Sequence, residues 1–419
     1  MSKNDRVYGE IIPYLLHWFE YNKRILPWRE DPTPYHVWVS EIMLQQTRVE
    51  AVKGYYDRFL ACLPDIKALA EADEETLLKL WEGLGYYNRV RNMQKAARIV
   101  VEQYGGELPA DYEKIRALPG IGDYTAGAIA SIAFGLPYPA VDGNVLRVMS
   151  RITCNEEDIA KESTKKKLKE DLTFMLQKER IRSCRDAQEE KQAGDGPGNV
   201  YGDFNQSLME LGATVCLPNG KPLCEQCPVM HLCKAFHTGR EQELPVKSAV
   251  KARRIEHRRV YLITWEGKVL LHRREKKGLL AGLWEFPNVL VEQEKTTVNQ
   301  GEEGLPETTE AFGSKELFGN SALAELFSGA QLRLIGKTKP AKHIFSHVEW
   351  HMEGIKLEVQ TVGEMDARES ANATETRENP AAQKNAPDWT FATPQELQEK
   401  YPIPSAFEAF LREIHSRHQ

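Results

Sequence analysis

The run Leu118-Pro119-Gly120-Ile121-Gly122 limits what this chain can fold into more than any other stretch. It is a tight turn between two helical patterns, and its glycines can take a positive φ and bring backbone N–H groups close to an anion. Asp123 is placed to cap the helix that follows, which runs on through Tyr124, Ala126, Ile129, Ala130 and Ile132. A helix-hairpin-helix is therefore expected, with the N–H groups around Gly120 and Gly122 offered to a phosphate. Downstream, Val141-Asp142-Gly143-Asn144-Val145 sets a carboxylate in a second turn, Asp-Gly being a common turn pair.

Everything before the hairpin reads as helical. Ile11, Ile12, Leu15, Leu16 and Phe19 recur at helical spacing. Thr33-Pro34 is an N-cap followed by proline at the first helical position, and Gly105-Gly106 closes a helix from Arg89 to Tyr104. A short helix over Asp73–Trp81 and a turn over Gly83–Tyr87 fall in the same helical front. Lys161–Lys178 is a charged helix whose Lys165-Lys166-Lys167 run reads as a solvated face. Arg182–Asn199 reads as a polar loop insertion, and Phe204–Leu211 as a helix leading to Cys216. The pattern then alternates: Val260, Leu262 and Thr264, a Glu266-Gly267 turn, Val269–Leu271, and a hairpin from His343 to Gln360 with Glu353-Gly354 at its turn. The expected organisation is an all-α domain over 1–240, a linker over 241–255, and an α+β domain over 256–419 closed by helices at Pro394–Lys400 and Ser405–Ile414. Polar insertions near 292–310 and 364–385 hold too little apolar surface to fold and are expected to be disordered.

At 419 residues and 41% hydrophobic, the chain can bury such cores, and a net charge of −6 argues against a histone-like protein while allowing local basic patches. The start of the chain, with Lys3, Asp5 and Arg6, has no signal-peptide core, and no apolar run is long enough to span a bilayer. Of seven cysteines, four crowd into Cys216-x7-Cys224-x2-Cys227-x5-Cys233. That density fits one metal or cluster site in a reducing compartment better than a disulfide framework. Four thiolates satisfy either an iron–sulfur cluster or a structural zinc. Glu41 lies among Val37, Trp38, Ile42 and Leu44. It is either a charge on an exposed helical turn or a desolvated carboxyl able to act as a general acid.

The helix-hairpin-helix, Val-Asp-Gly-Asn-Val and the four cysteines together resemble the endonuclease III superfamily of DNA base-excision glycosylases. Ser40-Glu41-Ile42-Met43-Leu44-Gln45-Gln46-Thr47 is similar to a signature of its adenine-specific branch, the MutY adenine DNA glycosylases. The resemblance implies an all-α glycosylase domain in which Glu41 protonates adenine at N7 and Asp142 meets the positive charge that develops on the deoxyribose. The logic parallels sugar hydrolysis by two carboxyls and requires a base flipped out of the duplex. Tyr124 stands where lyase members carry a lysine, so the resemblance is to the monofunctional branch; a phenol cannot form a Schiff base. Asn144 would orient Asp142. Adenine recognition is implied for Arg24, Trp28, Leu44 and Gln206, although Trp28 reads equally as a core aromatic. Gln46 and Tyr86 match residues that wedge into the duplex. The hairpin at Gly120 and Gly122 would hold a DNA phosphate, with a bound cation allowed. Cys216, Cys224, Cys227 and Cys233 would ligate a 4Fe-4S cluster, through a first loop one residue longer than the family's usual spacing.

Gly282-Leu283-Trp284-Glu285-Phe286-Pro287 and Lys342-His343-Ile344-Phe345-Ser346-His347 resemble the Nudix-like domain at the end of such glycosylases. No helix rich in glutamate follows Pro287, so the domain is expected to recognise rather than hydrolyse. Phe345, Ser346 and His347 would inspect 8-oxoguanine. The resulting expectation is a monomeric base-excision repair enzyme, cytoplasmic and associated with a bacterial nucleoid, acting on double-stranded DNA with adenine opposite 8-oxoguanine or guanine. Three rivals remain: a glycosylase/lyase for oxidised pyrimidines, a non-catalytic lesion binder, and a nucleotide-pool hydrolase.

Overall fold

Thr33 Oγ1 accepts from His36 N at 3.2 Å and opens a helix with Pro34 at its first position, so the sequence's punctuation here is also its structure. The computed structural model describes residues 5–178, 199–249, 252–291, 311–318, 322–361 and 389–415, and the chain divides into two units. The parts of the polar insertions at 182–198, 292–310 and 364–385 lie outside the described residues.

The first unit takes in Met1–Ala72 and Asn88–Val250 and is helical. Its principal helices are α1 (Ile12–Asn22), α2 (Pro34–Leu44), α3 (Val49–Cys62), α4 (Asn88–Tyr104), α5 (Tyr112–Arg116), α6 (Asp123–Ala128), α7 (Gly143–Thr153), α8 (Glu162–Gln177) and α9 (Val200–Thr214). Helix α6 runs on into a single π-helical turn, Ile129–Ala133. One core packs Ile11, Leu15, Val145, Val148, Phe204 and Leu208 beside the cysteine loop. At the hairpin, Gly120 takes φ 79°, and a Cβ there would lie 2.7 Å from Asn92 Cβ, so only glycine fits. The expected cap is not formed: Gly122 is the N-cap of α6 and provides no side-chain bond. Asp123 is instead the first helical residue, paired with Arg116 and, at 2.9 Å, with Lys169. Two nearby cations outcompete the single N–H that capping would have satisfied.

The second unit takes in Asp73–Tyr87 and Lys251–Gln419. Its strands are β1 (Arg254–Trp265), β2 (Lys268–Arg273), β3 (Trp284–Glu285), β4 (Asn288–Leu290), β5 (Ala311–Gly313), β6 (Gln331–Lys337), β7 (Ala341–Ile344), β8 (Val348–Thr361) and β9 (Trp389–Ala392). They form one sheet in the order β3-β2-β1-β8-β6-β5, with β4, β7 and β9 off this path. Strands β1 and β8 pair in parallel from Arg254↔Val348 to Thr264↔Glu358. Alternation sends Val260 and Leu262 to one face, under α10 (Pro394–Glu399) and α11 (Glu408–His415). Tyr261 and Ile263 go to the other face, against Leu323 and Phe327. The hairpin turn expected at Glu353-Gly354 is not there. Both residues lie inside β8, and the chain reverses at Phe345–His347. Gly354 serves close packing instead: a Cβ would meet Thr338 Oγ1 at 2.5 Å and Phe410 at 2.8 Å. Strand β1 also begins within the stretch read as linker.

The helix at Glu74–Leu80, read with the helical front, groups with the second unit, because an apolar stripe does not say which core it joins. Among the described residues no helix is long and apolar enough to cross a membrane.

Candidate active site

Four elements of the first unit converge on a cleft of about 1340 Å³. Helix α2 brings Glu41 and Leu44, α6 brings Tyr124, the start of α7 brings Asp142 and Asn144, and α9 brings Gln206, Met209 and Glu210. The loop that delivers Asp142 is fixed by Asn205. Its Oδ1 accepts from Ala140 N at 3.1 Å, and its Nδ2 donates to Tyr138 O at 2.9 Å and to Ser131 Oγ at 2.8 Å. The π-helical turn frees carbonyls that need partners, and Asn199 Nδ2 donates to those of Ser131 and Ile132 at 2.8 and 2.7 Å. Gly127 lets the same loop approach: a Cβ there would sit 2.1 Å from Pro139 O.

Glu41 is 6% exposed. Burial pushes its carboxyl from 4.5 up to about 7, helped by the charge of Asp142 and opposed by the Tyr124 hydrogen bond and by Arg29. The Tyr124 hydroxyl donates to Glu41 Oε2. Burial and the two carboxylates hold that phenol well above its usual range, so it remains a donor. Asp142 caps α7, accepting from Val145 N at 2.8 Å and from Asn144 Nδ2 at 2.7 Å. Burial raises its pKa too, against these bonds and the charge of Arg147. The two carboxyls are thus unlike. Asp142 has donors and a helix N-terminus to stabilise its ionised form, while Glu41 has one phenol and an apolar wall. Asn144 Oδ1 in turn accepts from Arg147 Nη2 at 2.8 Å, and Arg147 Nε donates to Cys216 O at 2.8 Å.

Trp28 is buried, edge-on to Tyr56 at 5.5 Å, and also lines the cleft, so it is both core and wall. Arg24 lines the cleft with its guanidinium bonded to Glu210, at 2.6 Å through Nε and 3.1 Å through Nη2. Arg29 joins the same carboxylate at 2.8 Å and gives Nε to Gln206 Oε1 at 3.1 Å. Burial raises the Glu210 pKa, but the two guanidiniums outweigh it and hold the group below its usual value. Gln206 Nε2 has no protein partner among the described residues and so is left able to donate into the cleft. Arg29 and Glu210 were missed by the sequence reading; an arginine beside Trp28 and a glutamate one helical turn past Gln206 were the available signal. Of the lysine run, Lys165 and Lys166 border the cleft while staying solvent-accessible, and Lys169, one turn further along α8, borders it too.

Gln46 is exposed with φ 61°, just past the end of α2, where Arg89 Nη1 donates to the carbonyls of Ile42 at 2.7 Å and Gln45 at 2.6 Å. In the second unit, Tyr86 is 47% exposed with φ 48°. The β7–β8 turn presents Ser346 and His347 to solvent, their Oγ and Nδ1 3.1 Å apart, and Phe345 lies against Trp350 with ring centroids 4.8 Å apart.

Cys216, Cys224, Cys227 and Cys233 border one small apolar cavity and, like the other described cysteines, are free. Burial pushes the Cys227 thiol to about 12 and Cys233 to about 11, and the charges of their sister thiolates add to both shifts. Arg151 Nη1 donates to Cys216 Sγ at 3.2 Å. Among the described residues no three His, Cys, Asp or Glu gather tightly enough for a single metal ion. Four thiols around one apolar cavity, with an arginine to offset charge, are a donor set that could hold an iron–sulfur cluster or a structural zinc.

Residues 39–173 match the family model of the HhH-GPD superfamily base excision DNA repair proteins, and residues 259–413 match a NUDIX domain. Adenine DNA glycosylase of Homo sapiens is 34% identical over 409 residues, covering 83% of this chain and 67% of that protein. The Mus musculus enzyme is 38% identical over 330 residues, covering 66% and 60%. That of Schizosaccharomyces pombe is 32% identical over 400 residues, covering 80% and 78%. The matched part is thus three-fifths of the mouse relative's length and over three-quarters of the yeast one's.

Proposed function

The chain belongs to the adenine DNA glycosylases of the HhH-GPD superfamily, and we propose that it excises adenine mispaired with 8-oxoguanine or with guanine in double-stranded DNA. The observation that most supports this is Glu41, a buried carboxyl poised near pH 7 in the same cleft as Asp142, whose ionised form is favoured by Val145 N and Asn144 Nδ2. With adenine flipped into the cleft, neutral Glu41 gives its proton to N7, and the base leaves with the electrons of the C1′–N9 bond. Asp142 faces the cationic sugar until water adds at C1′ and gives up its proton to the Glu41 carboxylate, which restores the acid. Tyr124 and Asn144 hold the two carboxyls in place. Tyr124 supplies no amine, so the product is an intact abasic site.

Gln206, Trp28, Leu44 and the Arg24–Glu210–Arg29 group surround the adenine; the Glu210 carboxylate can also accept from its exocyclic amine. The backbone at Gly120 and Gly122, with a cation, takes a phosphate. Gln46 and Tyr86 wedge into the duplex, while Phe345, Ser346 and His347 read the opposite base. The domain division proposed is a catalytic first unit and a lesion-reading second unit. Cys216, Cys224, Cys227 and Cys233 would hold a 4Fe-4S cluster, which supplies a covalent staple for the loop and a centre able to carry an electron. The enzyme acts as a monomer in the cytoplasm of a bacterial cell, at the nucleoid.

A single-turnover assay on duplexes with adenine opposite 8-oxoguanine, guanine, cytosine or thymine tests this. Adenine release from the first two, and no adduct on borohydride trapping, is expected. Equal release from all four, or a trapped adduct, would refute it.

A further inference from the structure

The turn that carries Tyr86 is built onto the second unit, although in sequence it falls in the middle of the first. Its stem is the short helix Glu74–Leu80, opened by Asp73, whose Oδ1 accepts from Thr76 N at 2.8 Å. Leu77, Leu78 and Trp81 are buried. The polar contacts are more specific. Lys79 Nζ donates to Leu397 O at 3.1 Å and Tyr401 O at 3.2 Å, carbonyls at the end of α10. A cation suits a helix C-terminus, where carbonyls lack helical partners. Lys79 also pairs with Glu82 Oε2 at 2.6 Å, and Glu82 Oε1 accepts from Ile403 N at 2.7 Å. Both side chains are largely shielded from water, so the pair is held rather than screened. Trp81 Nε1 then donates to Gly85 O at 3.0 Å, the residue before Tyr86. Tyr86 itself sits at φ 48°, a conformation an aromatic residue keeps only when its surroundings impose it.

We propose that Lys79 and Glu82 are positioning residues for Tyr86, locking its turn to the Leu397–Ile403 segment so that the ring and the Phe345–His347 loop are presented to the lesion strand by one body. This rests on the reading above, in which Tyr86 wedges into the duplex. Adenine chemistry belongs to the first unit, whereas the contacts made on the 8-oxoguanine side by Tyr86 and Phe345–His347 are gathered in the second.

The test uses the full chain and a duplex with adenine opposite 8-oxoguanine and 2-aminopurine next to the 8-oxoguanine. Fluorescence, followed by stopped flow before turnover, rises as the wedge unstacks its neighbour. Lys79→Met should abolish most of that rise and weaken binding about tenfold, the scale of one missing base–aromatic stack. Excision at saturating enzyme should stay within about twofold of wild type, since no group at the chemistry is touched. Lys79→Arg should restore both signals, and adding Tyr86→Ala to Lys79→Met should cost nothing further. Glu82→Gln, which keeps the acceptor for Ile403 and loses the ion pair, gives the same readouts should Lys79→Met fail to fold. Wild-type fluorescence and affinity in these variants, or defects that add in full to Tyr86→Ala, would overturn the proposal. If Tyr86→Ala alone leaves the fluorescence unchanged, the wedge itself is wrong and the proposal falls with it; if only the Lys79 and Glu82 variants are silent, the anchoring alone is wrong.

Discussion

At the scale of single residues, the proposed chemistry asks for one neutral carboxyl, Glu41, and one ionised, Asp142. Glu41→Gln should lower adenine release by about 10²–10⁴-fold, the usual range for removal of a general acid, with duplex binding retained in a gel-shift assay. The acid must be protonated to act, so the single-turnover rate should fall as pH rises through about 7. Tyr124→Phe removes the bond that favours ionised Glu41, so that alkaline limb should move to higher pH; a limb that stays put or moves down would count against the pairing. Stability carries the opposite mark of the same shift. Folded Glu41 holds its proton above the unfolded value of 4.5, so folding is penalised increasingly between 4.5 and about 7 and fully above that. Urea melts should therefore find Glu41→Gln more stable than wild type well above pH 7, by on the order of 3 kcal/mol at most, with the gain gone below 4.5. Sequence alone could place Glu41 and Asp142 but could not say that Glu41 is buried, because its neighbours read equally well as a core stripe or an exposed turn.

At the scale of elements, the Asp142 carboxylate proposed to meet the sugar is only as well placed as the loop before α7. Asn205→Ala removes two hydrogen bonds to that loop and a third to Ser131 in the π-helical turn, and should cost about 1–3 kcal/mol in urea melts, with a larger fractional loss in excision rate than in binding. Gly127→Ala drives a Cβ into the Pro139 carbonyl, a backbone clash no rotamer can relieve, and should destabilise by about 1–3 kcal/mol. Neither residue was legible as a site residue. Asparagine inside a helical run and glycine just past the hairpin carry no sign of the partner they meet from a distant segment. What the sequence did reveal had local causes: the Thr33 cap, the hairpin glycines and the Glu266-Gly267 turn, with φ 48° and 75°, are each decided within a few residues. What it misread had non-local ones. Asp123 was drawn off its cap by Lys169, Gly354 was kept in a strand by Phe410, and Glu74–Leu80 was recruited to the other core.

At the scale of the molecule, a chain of net charge −6 must bind a polyanion through local charge. Lys165, Lys166 and Lys169 of α8 border the cleft, and among the described residues Lys166 has a loose partner in Glu170 at 3.9 Å. Replacing Lys165 and Lys166 by Gln should weaken binding to matched and mispaired duplexes alike, and should reduce the slope of log K against log salt by about 0.9 for each phosphate no longer neutralised. An unchanged slope would return these lysines to the solvated face. The group of Arg24, Glu210 and Arg29 bears on the reaction in another way. Two guanidiniums around one carboxylate leave that group with a net positive charge beside a Glu41 that must be neutral to act. The proton that leaves Glu41 departs with the base, and the anion it leaves behind balances the cation on the sugar. The interior therefore passes from reactant to intermediate without a change in its total charge, and no counterion has to cross the protein while the sugar is cationic.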